Sequence, residues 1–270
     1  MIPVNEPLLS GNEKKYLIEC IDSGWISSEG PFVKRFEELY SSFIGVKYGV
    51  AVCNGTAALE VALYSVGVGR GDEVILPSFT IISCALACIR LGAKPVFVDI
   101  DPDTWNMDVS LIEGLITAKT KAIMAVHIYG HPVEMDTILK LKEKYGLMIV
   151  EDIAESQGAE YYSNIKSKWL KCGAIGDVSA VSFYANKTIT TGEGGMVLSN
   201  QANVSEKALS YRNLCFDSQQ RFSHTDLGYN FRMTNLQAAV GVAQIEKIDS
   251  NIKIKEKLGE YYRKRLGEIP

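Results

Sequence analysis

The chain has 270 residues and a formal net charge of −4; 47% of its residues are hydrophobic and 22% are charged. This composition is typical of a globular protein large enough for one large core or two domains. The weakly acidic balance, without a basic stripe, argues against a nucleic-acid partner. No apolar run approaches the ~18 residues that a membrane span needs.

Cysteine usage and the N-terminal residues indicate the compartment. The first residues lack the basic and apolar regions of a signal peptide. The six cysteines are scattered and mostly lie among apolar neighbours, as reduced core cysteines do. We therefore expect no disulfide framework and a cytoplasmic location.

Predicted helices and strands alternate along most of the chain, with short connections. We predict strands at 48–53, 73–76, 95–98, 122–126, 147–150, 178–183 and 196–198, and helices at 11–23, 33–44, 55–66, 81–91, 110–116, 133–145, 204–214 and 235–266. This alternation favours an α/β fold with a mainly parallel central sheet and helices on both faces.

Three polar groups follow predicted strands, where ligands bind in open α/β sheets. Asn54-Gly55-Thr56 joins a strand directly to a helix, so free N–H groups and a hydroxyl form a candidate anion site, although a plain helix cap uses the same residues. Glu151 and Asp152 are neighbours on an extended chain, so only one of them faces the site. Lys187 stands between two apolar strands, either as a functional amine or as a lysine reaching solvent.

Other motifs favour structural roles. His127 and His131 have the spacing of a helical zinc pair, but Gly130 and Pro132 break any helix there, so we predict no metal site. Cys84 and Cys88 share a helix face and fit core packing. The glycines at 67–71 precede a strand, and those at 192–195 lack the ending of a P-loop, so neither run predicts a nucleotide loop.

An anion cradle, a strand-end aspartate and a lysine in this order suit pyridoxal 5'-phosphate (PLP). The phosphate requires N–H groups at a helix start, the pyridine nitrogen a carboxylate, and the aldehyde a lysine for a Schiff base. Free lysine titrates near pH ~10.4, so a neutral base near pH 7 needs its pKa lowered by about 3, equivalent to roughly 4 kcal/mol.

Seven segments also resemble the sugar aminotransferases of the DegT/DnrJ/EryC1/StrS family, which have the fold-type I PLP architecture. Each segment is modest alone, but jointly they are specific and cover nearly the whole chain. They are residues 24–28, 54–59, 71–77, 126–132, 151–152, 186–195 and 228–233.

The resemblance implies a role for each matching position. Lys187 would carry the cofactor and shuttle the proton, Asp152 would pair with the pyridine nitrogen, and Glu155 would lie near the phenolic oxygen. The remaining positions are Gly55, Thr56 and Ser182 for the phosphate, Asn230 for the phosphate of a neighbouring subunit in a homodimer, and Arg232 and Trp25 as weaker substrate candidates.

Three departures from the family pattern stand out. Ile81 stands where many relatives have an aromatic residue that stacks on the cofactor, so that stacking is weakened or passes to Phe79. The segment 162–172 is a few residues longer than usual, which would reshape a surface loop. The family also continues into a smaller C-terminal domain. We therefore predict a PLP-binding large domain at 1–234 and a long helix at 235–270 leading towards a smaller domain absent from this chain.

The resemblance implies amine transfer from L-glutamate, released as 2-oxoglutarate, to the C4 ketone of a nucleotide-linked 4-keto-6-deoxyhexose. A GDP-mannose-derived sugar is the first expectation, and a UDP- or dTDP-glucose-derived sugar is the alternative. A PLP-dependent sugar 3-dehydratase is a rival, although those relatives have histidine in place of Lys187. A third possibility is an inactive, truncated relative used for regulation or assembly.

Overall fold

A computed structural model of the protein describes residues 5–217 and 222–267. Seven strands form one sheet in the spatial order β1-β9-β8-β5-β4-β2-β3, and β6 and β7 form a separate hairpin. The strands are β1 Tyr48–Val52, β2 Glu73–Pro77, β3 Lys94–Val98, β4 Thr120–Val126, β5 Met148–Asp152, β6 Glu160–Ser163, β7 Lys168–Lys171, β8 Val178–Ser182 and β9 Gly195–Ser199.

Eight α-helices accompany these strands in the part of the chain that the structure describes. They are α1 Glu13–Ser23, α2 Pro31–Ile44, α3 Gly55–Ser65, α4 Ser83–Arg90, α5 Met135–Tyr145, α6 Ala202–Arg212, α7 Asn235–Ile245 and α8 Ile248–Leu266. Several begin or end where local chemistry dictates: Pro31 opens α2, and left-handed Gly24, Gly45 and Gly146 close α1, α2 and α5.

Strand direction in the main sheet confirms the predicted α/β class. β8, β5, β4, β2 and β3 are parallel neighbours, whereas β9 pairs antiparallel with both β8 and β1. Six of the seven strands thus run the same way, with β9 opposed. Their carboxyl ends meet at one edge of the sheet, where a ligand site is expected.

Side chains alternate between two buried layers, as helices on both faces require. Val50 and Val52 of β1 pack in a core with α3, α4 and α6, while Ala51 faces a second core with α1, α2 and α7. Phe36 and Tyr40 of α2 are fully buried in that second core and contact Phe183, just after β8. The two cores hold the strand ends in register.

One sequence prediction in the middle of the chain is wrong. The helix expected at 110–116 is only a 3₁₀ turn at Glu113–Leu115. So short a segment, with Gly114 inside it, does not repay the cost of helix nucleation. The segment 162–172, predicted to be longer than usual, falls mostly within the β6–β7 hairpin, whose strands pair from Glu160↔Lys171 to Ser163↔Lys168.

The single helix predicted at 235–266 is also wrong, because the structure has two helices there. The chain leaves helical geometry at Lys247 (φ −116°, ψ 4°). α7 is buried between α1 and α2, whereas most of α8 is exposed. The domain division at residue 234 stays a prediction, and α7 shares its core with the sheet.

Candidate active site

A cavity of about 600 Å³ opens at the carboxyl edge of the main sheet. That volume suits a cofactor or a small substrate. Its lining comes from the ends of β1, β4, β5 and β8, the first turn of α3, and the segment between β8 and β9. Among the predicted site residues it includes Gly55, Thr56, Asp152, Glu155, Ser182 and Lys187.

The first turn of α3 forms one wall of the cavity. Asn54 caps the helix, since its Oδ1 accepts the N–H of Ala57 at 2.8 Å, and the Asn54 carbonyl takes the N–H of Ala58 at 3.0 Å. The N–H groups of Gly55 and Thr56 precede the first intrahelical bond and are positioned for an anion. The Thr56 hydroxyl lies 2.9 Å from that of Ser83.

Gly55 allows this turn to lie directly against β8. A Cβ added at Gly55 would fall 2.7 Å from the Ser182 Cβ and 3.0 Å from its Oγ. The close approach brings the Ser182 hydroxyl beside the helix N-terminus. Gln157 supports the same strand end, because its Nε2 donates to the Ser182 carbonyl at 2.9 Å.

We expect Gly55→Ala to push the first turn of α3 away from Ser182 and weaken binding of an anionic ligand there. A displaced hydrogen bond to a charged ligand is worth roughly 1.5–3 kcal/mol, which predicts a roughly 10- to 150-fold loss of affinity. Titration of the cofactor-free protein with PLP, followed by absorbance, measures the loss. Gly69→Ala is the matched control, since no atom lies within 4 Å of the added Cβ; equal affinities in the two variants would contradict the predicted role.

Asp152 places a carboxylate on the floor of the cavity with only 4% of its surface exposed. Its Oδ1 accepts the Ala154 N–H at 3.0 Å, and its Oδ2 accepts the thiol of Cys84 at 3.3 Å. Burial raises the pKa of this carboxyl, and the two hydrogen bonds and the Lys187 charge only partly offset that effect. A cationic group bound beside Asp152 would restore its preference for the charged form.

Lys187 reaches the same cavity from the turn after β8. Its side chain is 18% exposed, and its Nζ lies 3.8 Å from Oε1 of Glu155. The other carboxylate oxygen of Glu155 accepts the backbone N–H of Tyr129 at 2.9 Å. Glu155 therefore connects the lysine amine to the loop that follows β4.

Glu151 faces away from the cavity, as the alternation along β5 predicts. It is fully buried and accepts Nε2–H of His127 at 3.1 Å together with the backbone N–H groups of Gly173, Ile175 and Gly176. His127 Nδ1 accepts the N–H of Val133, which assigns a neutral ring. Burial opposes the charge of Glu151, but these hydrogen bonds outweigh it and lower its pKa.

Glu151→Gln should destabilise the protein, because an amide would turn donors towards backbone N–H groups. Losing charge-assisted hydrogen bonds should lower the free energy of unfolding by at least about 1.5–3 kcal/mol. Urea unfolding measures this loss. A lowered pKa stabilises the fold above the ordinary value near 4.5, and this contribution is lost as the pH falls through the folded pKa. The free energy of unfolding of Glu151→Gln should therefore fall less than that of the parent as the pH is lowered through this range. Glu143→Gln changes an exposed residue and is the control, which should be as stable as the parent. If Glu151→Gln were also as stable as the parent, the hydrogen bonds of Glu151 would not contribute to stability, which would contradict the prediction.

Four predicted residues lie outside the cavity lining. Phe79 packs edge-on against Trp105 at 5.3 Å instead of facing the cavity, and Ile81 lines the cavity in the position expected for a stacking aromatic. Trp25 is half exposed and contributes its carbonyl to Asn235.

Asn230 is exposed, and its Oδ1 accepts Nε of Arg232 at 2.8 Å, while Nη1 of Arg232 donates to Asn213. Neither side chain lines the cavity of this chain. Their predicted roles therefore require a site that is not their own.

Several residues that line the cavity were not among the predicted site residues. Phe231 follows Asn230 in a matching segment and forms an apolar part of the wall, and Asn186 and Glu193 flank the lysine turn. Cys84 was interpreted as core packing; it is fully buried, and it also donates to Asp152.

A family model supplies the observation that decides the class of protein. The DegT/DnrJ/EryC1/StrS aminotransferase family matches residues 7–270, nearly the whole chain. The chain belongs to this family. It is therefore a PLP-dependent aminotransferase, as the sequence analysis predicted.

Relatives and solved structures of the family agree with this assignment. The chain is 45% identical over 270 residues to GDP-perosamine synthase of Vibrio cholerae and 44% identical over 268 residues to that of Escherichia coli O157:H7, covering 100% and 99% of this chain and 72% of each relative. The aminotransferase TlmJ of Streptoalloteichus hindustanus superposes with a TM-score of 0.91 at 31% identity, with 100% of this chain and 72% of that chain covered.

The residues of this family member fit PLP. The cavity joins a helix N-terminus that has free N–H groups, a glycine whose Cβ would collide with Ser182, a buried carboxylate and a lysine amine. A phosphate requires such N–H donors, a protonated pyridine nitrogen requires an acceptor such as this carboxylate, and an aldehyde requires an amine. Separately, within residues 5–217 and 222–267, no helix is long and apolar enough to span a bilayer.

Proposed function

We propose that this aminotransferase produces GDP-perosamine from a GDP-linked 4-keto-6-deoxymannose, with L-glutamate as amine donor and 2-oxoglutarate as the second product. The identity of 44–45% to two GDP-perosamine synthases supports this substrate over UDP- or dTDP-linked sugars. The structural observation that carries the proposal is the shared cavity of Lys187 and Asp152. A lysine at this position also argues against the 3-dehydratase alternative.

Each group of the cofactor has a proposed partner. Gly55 and Thr56 N–H groups and the Ser182 hydroxyl would hold the phosphate, Asp152 would hold the protonated pyridine nitrogen, and Lys187 would bind the aldehyde carbon. When bound, PLP supplies an electron sink for the carbon that loses its proton. The protein's part is to orient that carbon and to keep the ring nitrogen charged.

Proton transfer is the proposed task of Lys187 once substrate has displaced its amine. The step requires a neutral amine, and the Lys187 side chain, 18% exposed, shares its cavity with apolar Ile81 and Phe231. Glu155, 3.8 Å away, would hold the amine close to the reacting carbon between the two half-reactions. The same carboxylate would share a proton with the phenolic oxygen of the cofactor.

The test is product analysis by mass spectrometry with purified enzyme, PLP, L-glutamate and GDP-4-keto-6-deoxymannose. The expected product carries an amine in place of the ketone oxygen, and 2-oxoglutarate accumulates in equal amount. The dTDP-linked 4-keto-6-deoxyglucose is the comparison substrate and should react more slowly. Loss of a ring hydroxyl without gain of nitrogen would contradict the proposal, as would preference for the dTDP sugar.

We further propose a homodimer in which Asn230, accompanied by Arg232, reaches the phosphate in the neighbouring subunit. Two features support this arrangement. Both side chains lie outside their own cavity. In addition, α4 and its N-cap residue Ile82 carry an exposed apolar stripe of Ile82, Leu86 and Ile89 beside the cavity residue Ser83. Trp25 is kept as a weaker substrate candidate, and the cytoplasmic location stays a prediction.

Mixing two inactive variants tests the shared site. If Asn230 acts across the dimer, Lys187→Ala and Asn230→Ala, unfolded and refolded together, form hybrid dimers with one intact site, and part of the activity returns. Each variant refolded alone is the control. If the refolded mixture had no more activity than the two variants refolded separately, the role of Asn230 would be contradicted. A protein that sediments as a monomer and is fully active would contradict the dimer.

A further inference from the structure

Three aromatic rings form a continuous surface beside the active-site cavity that the roles assigned above leave unused. Phe79 packs edge-on against Trp105 at 5.3 Å and against Tyr129 at 6.3 Å. Trp105 is 51% exposed and Tyr129 76% exposed, so both present ring area to solvent. We call Trp105, Phe79 and Tyr129 the aromatic rim.

Both exposed residues of the aromatic rim have left-handed backbone conformations. Trp105 has φ of 62° and Tyr129 has φ of 50°. For bulky residues this conformation is strained and persists only where the surroundings impose it. Such strain is concentrated at binding and catalytic sites, so two cases in one cluster point to function.

Specific hydrogen bonds impose these conformations. The Trp105 N–H donates to the Asp101 carbonyl at 2.8 Å, and Oδ1 of Asp101 accepts the N–H of Thr104. Asn106, 3% exposed, links this turn to the other: its Nδ2 donates to the His131 carbonyl at 3.0 Å, and its Oδ1 accepts the Ile128 N–H at 3.1 Å. Hydrogen bonds within the chain therefore hold the backbone turns that carry the aromatic rim.

The aromatic rim is also connected to the reacting groups. Oε2 of Glu155 accepts the N–H of Tyr129, and Oε1 of the same carboxylate lies 3.8 Å from Nζ of Lys187. Ile128, next to Tyr129 in sequence, lines the cavity. A substrate whose sugar reaches Lys187 would extend its remaining part over this rim.

We propose that the aromatic rim is the stacking surface for the nucleobase of the sugar-nucleotide substrate, an inference that rests on the proposed function. Exposed aromatic rings bind bases through their faces and retain affinity for different bases. L-glutamate has no aromatic part to stack. The rim should therefore act in the second half-reaction and not in the first.

The experiment removes each ring without adding backbone strain. Glycine adopts φ > 0 freely, so Trp105→Gly and Tyr129→Gly delete a ring and keep the turn, while Trp105→Phe and Tyr129→Phe keep an aromatic face. We expect KM for the GDP-linked ketosugar to rise about tenfold or more in each glycine variant, equivalent to ~1.4 kcal/mol, with kcat within a few-fold. The phenylalanine variants should restore KM, and the single-turnover rate with L-glutamate should match the parent throughout.

A direct binding measurement uses tryptophan emission and GDP, which does not react. GDP should quench the parent and not the Trp105→Phe variant, whereas inorganic pyrophosphate should quench neither. Trp169→Ala, which removes an exposed tryptophan of the β6–β7 hairpin, is the control and should keep the GDP response and the parental KM.

The outcomes separate this inference from the proposed function. A parent that aminates no nucleotide ketosugar refutes the proposed function, and GDP quenching still decides whether the rim binds a base. Unchanged KM in both glycine variants of an active parent overturns the inference. So does a change in sedimentation without a change in KM, which would assign the rim to contact with a second copy.

Discussion

Lys187→Ala is expected to reduce amine transfer by at least about 10²–10⁴-fold, the range that a positioned proton-transfer group contributes. The physical reason is that the amine is the group in the cavity placed to carry the cofactor aldehyde and to return the proton. Formation of 2-oxoglutarate from L-glutamate in a single turnover measures the effect. Lys187→Arg should be equally inactive, because a guanidinium keeps its proton at any working pH.

The control for this prediction is Lys34→Ala, which removes a lysine whose side chain is 82% exposed on α2. It should leave the rate unchanged. Lys187→Ala should also keep the parent's circular dichroism, since the ion pair of the amine with Glu155 is long, at 3.8 Å. A Lys187→Ala protein with more than a tenth of the parental rate would refute the assigned role.

Asp152→Asn is expected to lower the single-turnover rate by about two orders of magnitude, because a charge-assisted hydrogen bond to the ring nitrogen is worth roughly 1.5–3 kcal/mol. The amide keeps the shape of the side chain and can still accept the Ala154 N–H. PLP affinity should fall in the same variant. Asp249→Asn, an exposed change in α8, is the control for both measurements.

Stability distinguishes this functional role from a structural one. Burial raises the pKa of Asp152 in the folded chain above its ordinary value of 3.8, so the ionised form costs stability at neutral pH. That cost appears as the pH rises through the folded pKa. The cofactor-free Asp152→Asn protein should therefore be at least as stable as the parent at pH 7 while binding PLP more weakly. A clear loss of stability without loss of PLP affinity would contradict the assignment.

The edge of the sheet where the site lies was predictable from the sequence. Helix–strand alternation implies parallel strands, whose carboxyl ends coincide, so groups at residues 54–56, 152 and 187 were expected together. The structure places all three around one cavity. The opposite orientation of Glu151 and Asp152 followed in the same way from the period of a strand.

Side-chain placement in loops was not predictable, because loop backbones follow no period. Phe79 was expected to stack on the cofactor, yet the loop after β2 turns its ring towards Trp105. The left-handed conformation of Tyr129 comes from hydrogen bonds to residues distant in sequence, such as that with Glu155. The partnership of Cys84 with Asp152 spans 68 positions and has no local signature.

Short elements were the other source of error. The segment 110–116 is too short to form a stable α-helix without tertiary contacts. The turn between β6 and β7 contains no Asn-Gly or Asp-Gly dipeptide, so the hairpin was not predicted. The break between α7 and α8 at Lys247 involves neither glycine nor proline. Packing of α7 between α1 and α2 sets its direction instead.

The central claim is that one lysine amine and one buried carboxylate face the same PLP ring. Borohydride reduction of the PLP-loaded protein, followed by peptide mass spectrometry, tests it most directly. We predict that the cofactor mass appears on the peptide containing Lys187, and that Asp152→Asn shifts the visible absorption before reduction. Cofactor fixed on another lysine, or a spectrum unchanged by Asp152→Asn, would contradict the claim.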